Sequence, residues 1–330
     1  MNKGKRIYGL DILRGLSAIC IILYHYTVRY NQSVYTLANY KTNWLFDNFF
    51  EWGSMAVLTF FILSGFFSGI YSNKNGIDYI KKRINRLFPP FVMCCLITSI
   101  FMFLFYKQAF IGIKNIILNI LFFPLYLGVK QIDGVYWTLL KEVIFYCLVA
   151  VMFHFNLEKK QKQNVLIIWV ILCIFTYYIQ FKNVIDSLIN IFAMPEYVST
   201  FLIGITLKEI LEKSNNKKDI LILLLSFINL FLWKNITNII FIVAIIIFIF
   251  FSYECGEKTI SGMGGITYIA KISYPLYLIH QMIGYSIISY LQKIGLRSEI
   301  YILIPMIISI FLATVINWCS ENFLKKVKNI

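Results

Sequence analysis

Charged residues are scarce in this chain. Asp, Glu, Lys and Arg make up 14% of the 330 residues, whereas hydrophobic residues make up 59% and the mean hydropathy is +0.72. A soluble globular protein has roughly 25% charged and about 45–50% apolar residues. One water-soluble core could not bury this much apolar surface, so the composition excludes a soluble globular domain. We predict an all-α polytopic membrane protein.

The sequence also lacks the signals of nucleic-acid and metal binding. Its net charge is +15, but Lys and Arg occur in short clusters between apolar runs, without a basic stripe interleaved with aromatics. The seven cysteines lie mainly within apolar runs and form no CxxC motif, and there is no His-rich ligand set. We therefore expect buried free thiols, no metal site and no nucleic-acid partner.

Apolar runs long enough to cross a bilayer recur along the chain. A spanning helix needs about 20 mostly apolar residues, and on that criterion we predict about ten transmembrane helices. The sixth is the weakest, because Pro195 and Glu196 interrupt it. Between the third and fourth, the segment 107–134 contains the apolar run KNIILNILFFPLYLG, which is too short to span comfortably, so we expect an interfacial or re-entrant helix there. The predicted spans are 9–29, 50–71, 88–106, 135–155, 165–182, 188–211, 219–234, 236–253, 267–290 and 300–323.

The distribution of Lys and Arg predicts the orientation. If the N-terminus is cytoplasmic, the larger share of these residues falls in the inner segments, which supports cytoplasmic N- and C-termini. Asp11 and Arg14 interrupt the first run and no small-residue cleavage site follows, so we read an uncleaved first span. We expect one integral-membrane domain over residues 1–330, with no separate soluble domain.

Three ionisable residues lie in the first predicted span, within LDILRGLSAICIILYH (10–25). On a helix, Arg14 and His25 project about 20° apart and about 16 Å apart along the axis, and Asp11 lies about 60° from Arg14. All three share a stripe that we expect to face the protein interior. Such residues need a partner or a function. Asp11 and Arg14 form either a local ion pair or part of a reacting site. His25 is either a packing residue or a member of that reacting site.

Two further spans carry polar residues. Glu142 lies about two turns into the fourth span, with Tyr146 one turn further on the same face. A buried carboxylate needs a cation or hydroxyl partner, so Glu142 is either a hydrogen-bond anchor or a site residue. His280 lies near the middle of the ninth span, above Tyr274 and Pro275, where the proline frees a backbone carbonyl. His280 is either a packing histidine or part of a site.

A cationic cluster precedes the third span. Lys81, Lys82, Arg83 and Arg86 come just before two prolines. Such clusters are ordinary orientation signals, but Arg83 and Arg86 share a helical face and could hold a phosphate. Both interpretations remain open on these residues alone.

Five stretches together resemble the membrane acyltransferase-3 family, whose members move acyl groups from acyl-CoA onto cell-surface sugars and related acceptors. They follow the family's order from the first to the ninth span. At the position of the family's C-terminal acidic-x-Pro motif this chain has Glu321-Asn322-Phe323, so the proline is absent. The matching stretches are LDILRGLSAICIILYH (10–25), FFILSGFF (60–67), RINRLFPPF (83–91), YWTLLKEVIFY (136–146) and SYPLYLIHQ (273–281).

The resemblance implies roles for particular residues. His25 takes the family's catalytic position and Glu142 its acidic position. Arg14, Arg83 and Arg86 match basic positions of the family and are expected to bind the acyl-CoA co-substrate, and no cofactor is expected to be permanently bound. Lys82 joins them because it lies in the same cationic cluster; the residues expected to support the site are Asp11, Trp137, Tyr146, Tyr274 and His280.

These observations lead to one working hypothesis. Acyl-CoA from the cytoplasm, by default acetyl-CoA, donates its acyl group to a hydroxyl of a cell-surface or exported polysaccharide, with His25 as the general base. Transfer is either direct or through an acyl-histidine. The expected partners are a glycan or lipid-linked sugar, the bilayer and a polysaccharide-synthesis complex, and the expected location is a bacterial plasma membrane. The alternatives are a polysaccharide transporter or flippase without acyl-transfer chemistry, and a structural membrane subunit.

Overall fold

The computed structural model describes residues 7–30, 51–72, 74–105, 107, 110–121, 129–179, 184–214, 216–254, 264–296 and 298–328. Every regular element in these residues is a helix. The α-helices are α1 (Tyr8–Tyr24), α2 (Ala56–Phe66), α3 (Gly76–Phe105), α4 (Ile113–Ile120), α5 (Tyr136–His154), α6 (Lys159–Tyr178), α7 (Val184–Phe192), α8 (Val198–Leu211), α9 (Lys217–Trp233), α10 (Ile236–Glu254), α11 (Gly264–Lys293) and α12 (Leu303–Lys328). A π-helix (His25–Arg29) extends α1, and short 3₁₀ helices (Glu51–Met55 and Glu299–Ile302) precede α2 and α12.

Five segments in the described part of the chain are long and apolar enough to cross a membrane. This finding confirms the all-helical membrane class and supports the first, third, fourth, eighth and tenth predicted spans. The other five spans and the orientation of the termini stay predictions. The five segments are Tyr8–Arg29, Gly76–Phe105, Tyr136–His154, Ile236–Glu254 and Ile300–Lys326.

Some boundaries differ from the predicted ones. Helix α3 starts at Gly76, twelve residues before the predicted span, and continues through Pro89 and Pro90. The sixth predicted span is two helices, α7 and α8, and the break contains Pro195 and Glu196, as the sequence predicted.

Part of the segment 107–134 forms the short helix α4. Within that segment, residues 108, 109 and 122–128 lie outside the described residues. The side-chain amide of Asn119 donates to the carbonyl of Lys130, and its oxygen accepts the N–H of Ile132. This amide therefore holds the returning chain against α4.

The described chain divides into two compact units, which are treated separately. The first comprises Met1–Leu13, Val57–Lys82 and Lys141–Met263. Here α2 and α8 make backbone contact, because a Cβ on Gly204 would overlap the carbonyl oxygen of Ile62 and one on Gly65 would overlap that of Phe201. Small residues at a helix crossing allow this approach in membrane proteins.

The second unit comprises Arg14–Ala56, Arg83–Leu140 and Gly264–Ile330. Its central element is α11, which packs along α12 and against the π-helix. Gly284 provides the space for the second contact, since the Tyr26 ring lies where a Cβ of residue 284 would be. This unit contains two of the chain's three histidines, His25 and His280.

Candidate active site

The π-helix begins at His25. In it the N–H of Tyr30 reaches back to the carbonyl of His25, five residues earlier. The hydroxyl of Thr27 donates to the backbone carbonyl of Leu23 at 2.7 Å. A side chain therefore helps to satisfy this carbonyl, which lies where α1 widens into the π-helix. Single π-turns are rare and are frequent at functional sites. His25 is half-buried there, whereas the next residue, Tyr26, is fully buried.

Hydrogen bonds to α11 and α12 fix the backbone on the C-terminal side of His25. The hydroxyl of Tyr26 donates to the carbonyl of His280 at 2.9 Å and pairs with the hydroxyl of Ser309 at 2.8 Å. One helical turn later, the hydroxyl of Tyr30 pairs with Ser289 and donates to Gln292, both at 2.9 Å. The position of His25 relative to α11 is therefore set by buried contacts.

The structure brings His25 and His280 together. Their ring centroids are 5.0 Å apart with an interplanar angle of 69°, which is an edge-to-face arrangement. Nδ1 of His25 lies 3.4 Å from the hydroxyl oxygen of Tyr285. The sequence indicated each histidine separately, but Tyr285 belongs to none of the motif stretches and was missed.

The tautomer of His280 follows from its neighbours. Its Nδ1 lies 2.8 Å from the carbonyl oxygen of Tyr277 and 3.2 Å from that of Leu276. Carbonyl oxygens only accept hydrogen bonds, so Nδ1 carries the hydrogen and Nε2 carries a lone pair. Nε2 is buried and has no hydrogen-bond partner among the described residues.

A buried carboxylate connects the start of α5 to α11. Oδ1 of Asp133 accepts the N–H of Val135 at 3.1 Å, and Oδ2 accepts the N–H of Met282 at 3.0 Å. Burial raises the pKa of the Asp133 carboxyl to about 7, although the two N–H donors act in the opposite direction. Sequence reasoning missed Asp133, and its position just before the helix, typical of a capping residue, was the available signal.

Glu142 lies in the first unit and accepts two hydroxyl hydrogen bonds. Its Oε1 is 2.6 Å from the hydroxyl of Ser64 and 2.5 Å from that of Tyr146. The bond to Tyr146 agrees with the predicted shared face, whereas Ser64 was not singled out. Two hydroxyl donors are the kind of partner that a buried carboxylate requires. The assignment of Glu142 as an orienting group for His25 stays a prediction.

The cationic residues lie on the helix α3 itself. Lys82 and Arg86 are exposed and Arg83 is half-buried, all in the part of α3 that precedes Pro89. Because Arg83 and Arg86 are three residues apart on this helix, they share a face, as predicted.

Tyr274 has a defined structural contact. Pro89 and Pro90 cannot donate to the carbonyls of Asn85 and Arg86, four residues earlier. The hydroxyl of Tyr274 donates to a different carbonyl of α3, that of Leu87, at 2.9 Å. Tyr274 thus connects α11 to α3. The remaining predicted residues, Asp11, Arg14 and Trp137, are half-buried near the starts of α1 and α5.

Comparison with known proteins identifies one match. The family model described as an acyltransferase domain, of the acyltransferase-3 type, matches residues 7–319. No curated protein and no solved structure matches the chain. Within the residues that the structure describes, no group of three or more His, Cys, Asp or Glu could hold a metal ion.

Proposed function

Because the chain belongs to the acyltransferase-3 family and is a membrane acyltransferase, we propose that it transfers an acyl group from cytoplasmic acyl-CoA to a polysaccharide hydroxyl. The acyl group is acetyl by default. The observation that carries this proposal is the pair of histidines, with half-buried His25 on a π-helix beside fully buried His280.

The proposed chemistry requires one base. Nδ1 of His25 lies 3.4 Å from the hydroxyl oxygen of Tyr285. In the proposed mechanism Nδ1–H donates to this oxygen, so that Nε2 is the basic atom. Nε2 accepts the proton of the acceptor hydroxyl while that oxygen attacks the thioester carbonyl. The carbon–sulfur bond then breaks, and the CoA thiolate takes the proton from His25. A positioned base of this kind typically contributes about 10²–10⁴-fold in rate.

The proposed donor site uses the cations of α3. Lys82, Arg83 and Arg86 bind the nucleotide phosphates of acyl-CoA, because arginine matches phosphate geometry with two parallel hydrogen bonds. The pantetheine arm then passes Arg14 and presents its thioester at His25, about 16 Å further along α1 and its π-helix. This length suits a co-substrate that keeps its charged end at one membrane surface.

Glu142 is the proposed acidic partner of the site. Its family motif supports this role, and the hydroxyls of Ser64 and Tyr146 hold its carboxylate in one position. We assign supporting roles to Trp137, which lies in the same motif, and to Asp11.

The proposed acceptor is a glycan or lipid-linked sugar at the cell surface. The enzyme would then act in a bacterial plasma membrane, next to the complex that makes or exports the polysaccharide. This assignment follows from the cytoplasmic origin of acyl-CoA and the location of the acceptors that the family uses.

The test uses purified protein in lipid nanodiscs with acetyl-labelled acetyl-CoA and envelope glycan. We expect label in the glycan, with release of CoA thiol in equal amount. Glycan without label, or glycan movement across vesicle membranes without CoA, would overturn the proposal in favour of a transporter. Mass spectrometry of the polysaccharide from a deletion strain then identifies the missing group and its sugar.

A further inference from the structure

Arg29 is an exposed cation at the opposite end of the π-helix from the proposed base. This helix begins at His25 and ends at Arg29. The guanidinium forms no ion pair within the part of the chain that the structure describes. A cation at a helix C-terminus complements the partial negative charge of the last carbonyls. That effect is satisfied by any side of the helix, so the side on which Arg29 lies needs its own explanation.

The hydrogen bonds of two tyrosines define the faces of the π-helix. Tyr26 and Tyr30 are four residues apart, and the hydroxyls of both bind side chains or backbone of α11. Residues four apart therefore share a face in this helix. His25 and Arg29 each precede one of these tyrosines, so they share the neighbouring face. This face is the accessible one, because His25 is half-buried and Arg29 exposed, whereas both tyrosines are fully buried.

The positive charge of Arg29 reaches the proposed reacting site. The guanidinium is close enough to His25 and to Tyr285 for electrostatic interaction with both. The buried carboxyl of this unit, that of Asp133, accepts two backbone N–H groups and forms no ion pair with Arg29. A molecule that brings a hydroxyl to His25 therefore meets a cation that no described carboxylate neutralises.

We propose that Arg29 binds an anionic group of the acceptor, a carboxylate or a phosphate, while a hydroxyl of the same molecule reaches His25. A guanidinium matches either oxyanion with two parallel hydrogen bonds. The anion then lies about one helical turn, roughly 5 Å, from the reacting oxygen. This inference rests on the proposed function, to which it adds the charge of the acceptor and the residue that selects it.

Two substitutions of Arg29 separate its charge from its hydrogen-bond geometry. Arg29→Gln removes the charge and keeps a polar side chain, whereas Arg29→Lys keeps the charge without the planar fork. Lys114→Gln is the matched control, since it removes an exposed cation from α4 in the same unit. All three variants should melt like the wild type in detergent, because substitutions of exposed side chains change stability little.

The probes are methyl glucuronide and methyl glucoside, which differ by one carboxylate, together with the 6-phosphate of methyl glucoside. Each is tested with labelled acetyl-CoA in phosphatidylcholine nanodiscs, and the measured quantity is the ratio of kcat/KM for an anionic probe to that for methyl glucoside. For the wild type we expect a ratio of about 10 with at least one anionic probe, because a hydrogen-bonded charge contributes more than a neutral hydroxyl. The preferred anion distinguishes a carboxylate from a phosphate ligand.

The variants decide whether Arg29 causes this ratio. We expect Arg29→Gln to bring it close to one, Arg29→Lys to give an intermediate value and Lys114→Gln to keep the wild-type value. A wild-type ratio near one would overturn the inference, as would an equal fall in Lys114→Gln, which indicates a general charge effect. An unchanged ratio in Arg29→Gln would also overturn it, because that result is expected if Arg29 serves only the helix end or a lipid headgroup.

A binding measurement separates this inference from the proposed function. Saturation-transfer NMR compares binding of the same three probes by the wild type and Arg29→Gln, without acyl transfer. If the wild type labels neither the probes nor envelope glycan, the proposed function fails. Tighter binding of an anionic probe that is lost in Arg29→Gln would still support the anion site, and equal binding of charged and neutral probes would overturn it.

Discussion

Gly284→Ala is expected to disrupt the contact that holds the π-helix against α11. The added Cβ would lie 2.7 Å from the hydroxyl oxygen of Tyr26 and closer still to two carbons of its ring. Tyr26 is fully buried and its hydroxyl bonds both His280 and Ser309, so the ring has no free space in which to move. The strain must therefore displace α11 or the residue that follows His25.

The size of the effect can be worked out from these contacts. Overpacking costs typically about 1–3 kcal/mol, and each hydrogen bond lost from Tyr26 adds about 0.5–1.5 kcal/mol. Replacing a helical glycine by alanine gains at most about 1 kcal/mol of helix propensity. If both hydrogen bonds are lost, the net expectation is a destabilisation of about 1–5 kcal/mol, with loss of acyl transfer because His25 shifts.

The assay is thermal unfolding in detergent, followed by tryptophan fluorescence, beside acyl transfer by the same preparation. The control is Gly265→Ala, at a position of the same helix where a Cβ would have no atom within 4 Å. In a Tyr26→Ala protein, adding Gly284→Ala should lower the free energy of unfolding by little more, since the obstructing ring is absent. If Gly284→Ala is as stable and as active as Gly265→Ala, the proposed packing of His25 is wrong.

Two further predictions concern the buried Asp133 and the half-buried Glu142. The raised pKa of Asp133 means that the folded protein binds this proton more tightly than the unfolded chain, so its contribution to stability is lost as pH rises from about 4 to about 7. Melting temperatures between pH 4 and 8 should show this fall relative to Asp133→Asn; parallel profiles would contradict it. Glu142→Leu should destabilise the folded protein by about 1–3 kcal/mol more than Glu142→Gln does. Only the glutamine keeps an oxygen that accepts the hydroxyl hydrogen bonds of Ser64 and Tyr146. Chemical unfolding in mixed micelles measures the difference, and equal stabilities would show that these bonds contribute little.

Much of the fold could be predicted because the bilayer imposes a simple rule. Apolar length identifies membrane-crossing helices, and the break at Pro195 follows from proline chemistry. Helix α3 begins twelve residues before the third predicted span, because the span criterion counts apolar residues and therefore leaves out the four cations at the start of the helix. The helix nevertheless continues through Pro89 and Pro90.

The site was predictable only in part. Motifs indicated His25, Glu142 and His280 separately, but helix periodicity relates residues of one helix and cannot place two helices against each other. The pairing of His25 with His280 therefore required the structure, as did the bond from Ser64 to Glu142. The π-helix depends on local competition for backbone carbonyls, which the hydrophobic pattern does not encode.

The most direct test of the central claim compares two single-histidine variants in the labelled acetyl-CoA assay. His25→Ala should insert into the membrane and melt like the wild type yet transfer no label to glycan. His154→Ala removes the exposed histidine at the end of α5 and should retain wild-type transfer. Substantial transfer by a folded His25→Ala protein would contradict the assignment of His25 as the base.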